Sequence, residues 1–232
     1  MEVVKTAAAY VREQHENRQG LTIEEKGRQN FVTQVDKEAE KILVSGLAEL
    51  LPEAGFIAEE GTNNSRGERF NWVIDPIDGT TNFIHGVFPF AISVGLTAHH
   101  EVVAGIVYEF GLDEFFYAWK GGGAWLNGSP VRVSEAPRVE QALIATGFPY
   151  TNFKYLEQFM QSMDHLCITR TVFVDWVPLP QISPMWPADG MMGFMSTGSI
   201  PGMWQLECFW SERQVGRSPI LQVIVTPCLA NI

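Results

Sequence analysis

Two early stretches repeat apolar residues at helical spacing. In MEVVKTAAAYVREQHENRQ, residues Val3, Val4, Ala7, Ala8 and Val11 share one face, with Glu2, Lys5, Arg12 and Glu13 elsewhere, which predicts an amphipathic helix. In DKEAEKILVSGLAELLPEAG, residues Ala39, Ile42, Leu43, Leu47 and Leu50 fall on one face. Asp36 stands where an N-cap would, and Pro52 and Gly55 close the segment. The pattern then changes. Phe70–Ile74 is a short apolar run that predicts a buried strand. Strands are expected at Ala91–Leu96, Val102–Tyr108 and Glu114–Trp119, and Asn127-Gly128 is a hairpin turn signal. Helix, helix, then antiparallel strands points to a layered α/β architecture rather than a βαβ repeat.

Patterning fails near Thr169. Residues 170–232 hold seven of the chain's 43 charged residues but four of seven Trp, seven of 13 Pro and five of eight Met. Pro178, Pro180, Pro184 and Pro187 exclude a regular element from WVPLPQISPMWP (176–187). This segment does not continue the pattern before it.

Composition narrows the function. The 232 residues suffice for one large domain or two small ones, and 46 % apolar with 19 % charged content is that of a globular protein. A net charge of −11 argues against nucleic acid or an anionic membrane as the main partner. Charges interrupt the N-terminal stretch, which therefore does not read as a signal peptide, and no transmembrane run is present. Cys167, Cys208 and Cys228 have neither disulfide-framework nor metal spacing. The expected compartment is the cytoplasm.

The chemistry concentrates in WVIDPIDGTTNFIHG (72–86). Asp75 emerges at the end of an apolar strand, Pro76 fixes a turn, and Asp78 follows three residues later, so two carboxylates and the Ile77 carbonyl can converge on one hard cation such as Mg2+, Mn2+ or Ca2+. Gly79, Thr80 and Thr81 then offer backbone N–H groups and hydroxyls, an anion site if a helix starts there. Metal ligands running into a phosphate cradle describe a metal-assisted phosphatase. Asp-x-x-Asp-Gly alone marks an ordinary turn; the length of the string carries the specificity. His85, His99, His100, Trp125, Phe88, Phe90, Lys26 and Arg28 read as structural or solvated positions.

The string resembles the signature of the inositol monophosphatase family, W-x-I-D-P-I/L-D-G-T-x-N-F. FIAEEG (56–61), FVTQVD (31–36), GGGAWLNGSPVRVS (121–134) and ATGFPY (145–150) resemble further family elements, so the likeness covers roughly residues 1–169. It implies an α-β-α-β-α sandwich of the inositol monophosphatase and fructose-1,6-bisphosphatase kind, incomplete at the C-terminus. It implies two or three Mg2+ ions, with Glu59, Asp75, Asp78 and the Ile77 carbonyl as ligands. Thr80 with Glu59 would orient and deprotonate the attacking water, Asp36 would hold metal-bound water, and Asp78, Gly79, Thr80 and Thr81 would cradle the phosphate. The implied reaction is hydrolysis of a small phosphomonoester, inositol monophosphate first, by metal-activated water. Related members act on fructose bisphosphate, nucleotide 3′-phosphates or histidinol phosphate. The resemblance also implies a homodimer.

The family's second motif, W-D-x-A-A-G, whose Asp binds the second metal, does not occur in residues 170–232, nor does its upstream G-S-A-A. Codon arithmetic supplies a reason. Met203-Trp204-Gln205 is encoded ATG-TGG-CA(A/G), and joining each third base to the next two forces Val then Ala. The neighbouring codons permit E-Y-G-L-N-P-W-D-V-A-A-G. Residues 171–182 permit G-L-R-R-L-G-S-A-A-T-D, and Trp176-Val177 forces its second Gly. The expectation is a family domain over residues 1–169 and an out-of-frame tail over 170–232. Two other readings stand beside the phosphatase: a truncated, catalytically impaired protein that binds metal or phosphate only, and a β-rich sugar-binding or structural protein, which leaves D-P-I-D-G-T-T unexplained.

Overall fold

The computed structural model describes residues 1–18, 23–27, 30–99, 101–131, 143–146, 156–168, 172–174 and 191–195, with backbone alone for 23–27, 30–32, 143–146, 166, 172–174 and 191–195. The two expected helices form as α1 (Glu2–Glu16) and α2 (Gln34–Leu50). Val4, Ala7, Ala8 and Val11 of α1 pack with Val35, Ala39, Leu43 and Leu47 of α2 in one core. Gly46 permits the close approach of the helices, because a Cβ there would stand 2.7 Å from a Val3 methyl. Leu50 departs from expectation at 65 % exposure, since it ends the helix beyond the last buried turn at Leu47.

The start of α2 corrects the sequence reading. Thr33, not Asp36, is the N-cap: its hydroxyl accepts from the N–H groups of Val35 (3.1 Å) and Asp36 (3.4 Å). Asp36 lies three residues on and accepts the Thr33 N–H at 2.8 Å, completing a capping box. Such a cap contributes about 1 kcal/mol.

Strands β1 (Ile23–Gly27) and β2 (Asn30–Thr33) form an antiparallel pair. A sheet of seven strands follows in sequential order: β3 (Gly55–Ala58), β4 (Phe70–Asp78), β5 (Ala91–Ala98), β6 (Glu101–Glu109), β7 (Glu114–Trp119), β8 (Gly123–Leu126) and β9 (Ser129–Val131). Only β3 and β4 run parallel; the other neighbours are antiparallel. The expected hairpin joins β8 and β9, with Asn127 (φ 47) and Gly128 (φ 87) both left-handed, as its turn requires. A second correction concerns β4. It runs through Pro76 to Asp78 rather than ending at Asp75, and its register with β5 shifts between those two aspartates. Proline is tolerated where a bulge has already interrupted the ladder.

The short helix α3 (Thr80–His85) follows at once. The core of α1 and α2 continues onto the sheet through Phe56, Ile74, Ile77, Phe83, Phe90, Ile92 and Tyr108. Beyond the seven-stranded sheet, β10 (Leu143–Thr146) lies between β11 (Val172–Val174) and β12 (Met191–Met195), parallel to both, and α4 spans Leu156–Ile168. Two of these strands thus fall after residue 170, while 176–187 lies outside the described residues. Among the described residues, no helix is long and apolar enough to cross a membrane.

Candidate active site

The parallel pairing of β3 with β4 brings the acidic groups together. Ala58 faces Ile74 in register, and the Glu59 N–H extends the ladder to the Ile74 carbonyl at 3.2 Å. Glu59, just past the end of β3, therefore stands beside Asp75 within β4, and the two carboxyl groups interact. Asp75 is buried. Burial first, then the charges of Glu59 and Asp78, push its carboxyl well above the usual carboxylate range, and Asp36 adds to the effect.

The bulge in β4 turns the chain into α3. Gly79 takes a left-handed conformation (φ 89), and a Cβ there would stand 3.2 Å from both the Pro89 carbonyl and the Phe90 side chain. Thr80 opens the helix, and its hydroxyl lies 3.0 Å from Asp36 Oδ1 and 2.9 Å from the Ile77 carbonyl. Asp36 is buried, and burial raises its carboxyl above the ordinary value against the opposing hydrogen bonds from Thr33 and Thr80. Thr81 is exposed at the mouth of the turn, and the Asn82 amide donates to the Pro89 carbonyl at 2.7 Å, fixing the far side of α3.

The arrangement suits a hard cation chemically, although it is not a finished cage. Asp75 Oδ1 is buried with no hydrogen-bond partner, and the charges acting on Asp75 are all acidic. Such crowding is relieved by a bound proton or by a metal ion. Yet among the described residues no three His, Cys, Asp or Glu side chains converge closely enough to hold an ion as they stand. The Glu59, Asp75 and Asp78 carboxylates would have to close on it.

Other candidates sort plainly. His85 is exposed, at the end of α3. Phe90 is buried, while Phe88 is 41 % exposed and stacks on it at 5.2 Å. Trp125 stacks parallel to Tyr117 and Trp119 on the sheet. His100, Arg28 and the Lys26 side chain lie outside the described residues, as do the last four residues of ATGFPY and the end of GGGAWLNGSPVRVS.

Sequence reasoning missed two supports. Glu40, fully buried, accepts the Glu60 N–H at 2.6 Å and the Thr62 N–H at 2.7 Å. Asn64 Oδ1 accepts the Ala58 N–H at 3.0 Å. The available signal for Glu40 was an acidic residue beside Ala39 and Leu43 in the apolar stripe of α2. Asn64 gave none.

The model of the inositol monophosphatase family matches residues 1–174. The chain is 35 % identical to the Nus factor SuhB of Vibrio cholerae over 165 residues, covering 71 % of this chain and 62 % of that protein. It is 33 % identical to the inositol-1-monophosphatase of Rhizobium meliloti over 192 residues, covering 81 % and 67 %. The chain thus spans about two thirds of these relatives' length. The crystal structure of the extragenic suppressor protein suhB from Bartonella henselae superposes with a TM-score of 0.76 at 30 % identity, covering 83 % of this chain and 74 % of that one.

Proposed function

The chain belongs to the inositol monophosphatase family, and from that premise we propose that its site serves Mg2+-dependent hydrolysis of a small phosphomonoester in the cytoplasm, inositol monophosphate first. The observation that carries the reading is the contact of Thr80 with Asp36 and the Ile77 carbonyl, beside the crowded pair Glu59 and Asp75.

Each group has a task. Glu59, Asp75, Asp78 and the Ile77 carbonyl would hold the ion, which when bound polarises the phosphoryl oxygens and makes water a stronger acid. Asp78, Gly79, Thr80 and Thr81 surround the first turn of α3, whose leading N–H groups lack intrahelical acceptors and so suit phosphate oxygens. Thr80 Oγ1 and Glu59 orient the water. As the water oxygen attacks phosphorus in line, its proton passes to Thr80 Oγ1 and the Thr80 proton to Asp36 Oδ1. The raised affinity of buried Asp36 for a proton favours that direction. The new P–O bond forms as the ester P–O bond breaks, and the alkoxide leaves as the alcohol after taking a proton from solvent water.

Residues 170–232 we read as the out-of-frame tail, so the chain would carry the first-metal half of the site and lack the second-metal Asp of W-D-x-A-A-G. The family match ends at residue 174, near this boundary. The same observation favours a second reading, a catalytically impaired protein that binds metal or phosphate only. Phosphate release from inositol 1-phosphate, fructose 1,6-bisphosphate and a nucleotide 3′-phosphate, with Mg2+ or EDTA, separates the two. Activity that needs Mg2+ and vanishes in Asp78→Asn supports the phosphatase; silence on all three substrates supports the impaired protein.

A further inference from the structure

Glu40 is as buried as any residue in the protein's core, yet it is a carboxylate, and no step proposed above uses it. A buried charge is retained at a cost, and an apolar side chain beside Ala39 and Leu43 would avoid it. Its two oxygens hold two different backbone groups, Oε2 the N–H of Glu60 and Oε1 the N–H of Thr62. Such bonds to a charged acceptor are among the stronger ones. The residues they grip flank Gly61, which is left-handed (φ 76) and returns its own N–H to the Ala58 carbonyl at 3.3 Å. The loop leaving β3 is therefore pinned by its backbone.

Glu59 lies inside that clamp. Its own N–H is held by the Ile74 carbonyl, and the next N–H is held by Glu40. Thr62 is exposed, so water could serve this loop if satisfying its N–H groups were the only need. What water cannot do is fix the position of Glu59 beside Asp75. Glu40 also stands one helical turn after Asp36, on the same buried face of α2. One helix thus anchors Thr80 through Asp36 and the Glu59 loop through Glu40.

We infer that Glu40 is a positioning residue that holds Glu59 in place for metal binding. The inference rests on the reading of Glu59 as a metal ligand. Glu40→Gln keeps the volume but turns an amide donor toward one of the two N–H groups. Thr62→Pro deletes one donor from the loop side and leaves α2 untouched.

The test is titration of Mn2+ followed by electron paramagnetic resonance, on the full chain and on Glu40→Gln, Thr62→Pro and Glu59→Gln, with circular dichroism to establish folding. The expected result is a Kd raised roughly 10- to 100-fold in Glu40→Gln and in Thr62→Pro, the range for residues that orient a metal ligand, and at least as much in Glu59→Gln. If Glu59→Gln weakens binding while the folded Glu40→Gln and Thr62→Pro stay within about twofold of the parent, the inference about Glu40 is overturned and the metal site stands. If Glu40→Gln does not fold, Thr62→Pro alone decides. If the parent binds no Mn2+, or Glu59→Gln binds as the parent does, the metal-site reading fails and the role of Glu40 with it.

Discussion

The Thr80 hydroxyl lies 3.0 Å from Asp36 Oδ1, across 44 residues of chain. The contact joins the start of α3 to the start of α2. The same carboxylate closes the capping box through Thr33. Asp36 therefore has a structural task, and the chemical task proposed for it can be separated from that one. Thr80→Val removes the hydroxyl and leaves the cap. It is expected to abolish metal-dependent phosphate release where the parent shows it, and to cost only about 1 kcal/mol of stability. Asp36→Asn disturbs both, so urea unfolding should show the larger loss in that variant.

Asp75 predicts a stability that depends on metal. Its carboxyl sits well above the usual range because of burial and of Glu59 and Asp78. The folded state holds that proton more tightly than the unfolded one, so stability falls as pH rises from the unfolded value through the folded one. Above that window the metal-free protein carries the full cost. Asp75→Asn should therefore raise the metal-free Tm at neutral pH, by about 2–4 °C for each kcal/mol relieved. The same change should remove the rise in Tm that Mg2+ gives the parent. Calorimetric scans with and without Mg2+ check both.

His15 predicts the opposite slope in mild acid. Burial, with Arg18 and Arg12 nearby, lowers its affinity for a proton below the ordinary 6.5. Its ring lies 4.9 Å from Phe90 and 5.3 Å from Phe88, and its Nε2 is buried with no hydrogen-bond partner. The unfolded state binds the proton first, so this contribution to stability is present above about pH 6.5 and is lost as pH falls toward the folded value. The Tm of His15→Phe should change less than the parent's between pH 7 and pH 5.

Gly79 predicts a backbone effect. Its φ of 89 would strain any side chain, and the 3.2 Å clearance to Pro89 and Phe90 is tight for a Cβ. Gly79→Ala should destabilise by about 1–2 kcal/mol, readable as a lower denaturant midpoint. Phosphate-site function should fall further than stability, because the turn aims the leading N–H groups of α3.

These residues differ in how far the sequence reveals them. Asp75, Asp78, Gly79 and Thr80 are legible because they are contiguous and their chemistry is local. The faces of α1 and α2 are legible because periodicity reports burial. Glu40 is not, because its partners are backbone N–H groups of a loop that exists only once β3 and β4 pair. The cap shifted from Asp36 to Thr33 because residues of both types can cap, and only the hydrogen bonds decide. Proline at position 76 suggested a strand end, and the register shift with β5 lets the strand continue instead.

The coding DNA offers a prediction of its own. A single-base insertion or deletion near codon 169 should restore E-Y-G-L-N-P-W-D-V-A-A-G in place of residues 196–207. A coding sequence in which no such change yields W-D-V-A-A-G would remove the frameshift reading.

Phosphate release from inositol 1-phosphate in Mg2+ bears most directly on the half-site as a whole. Three proteins are compared: the chain as it stands, the frame-restored chain, and the frame-restored chain carrying Asp78→Asn. The restored chain should release phosphate only with Mg2+, Asp78→Asn should abolish that release, and the chain as it stands should be far slower. Release by the restored chain that survives Asp78→Asn, or that proceeds without a divalent cation, would contradict the assignment of the Asp75–Thr81 loop.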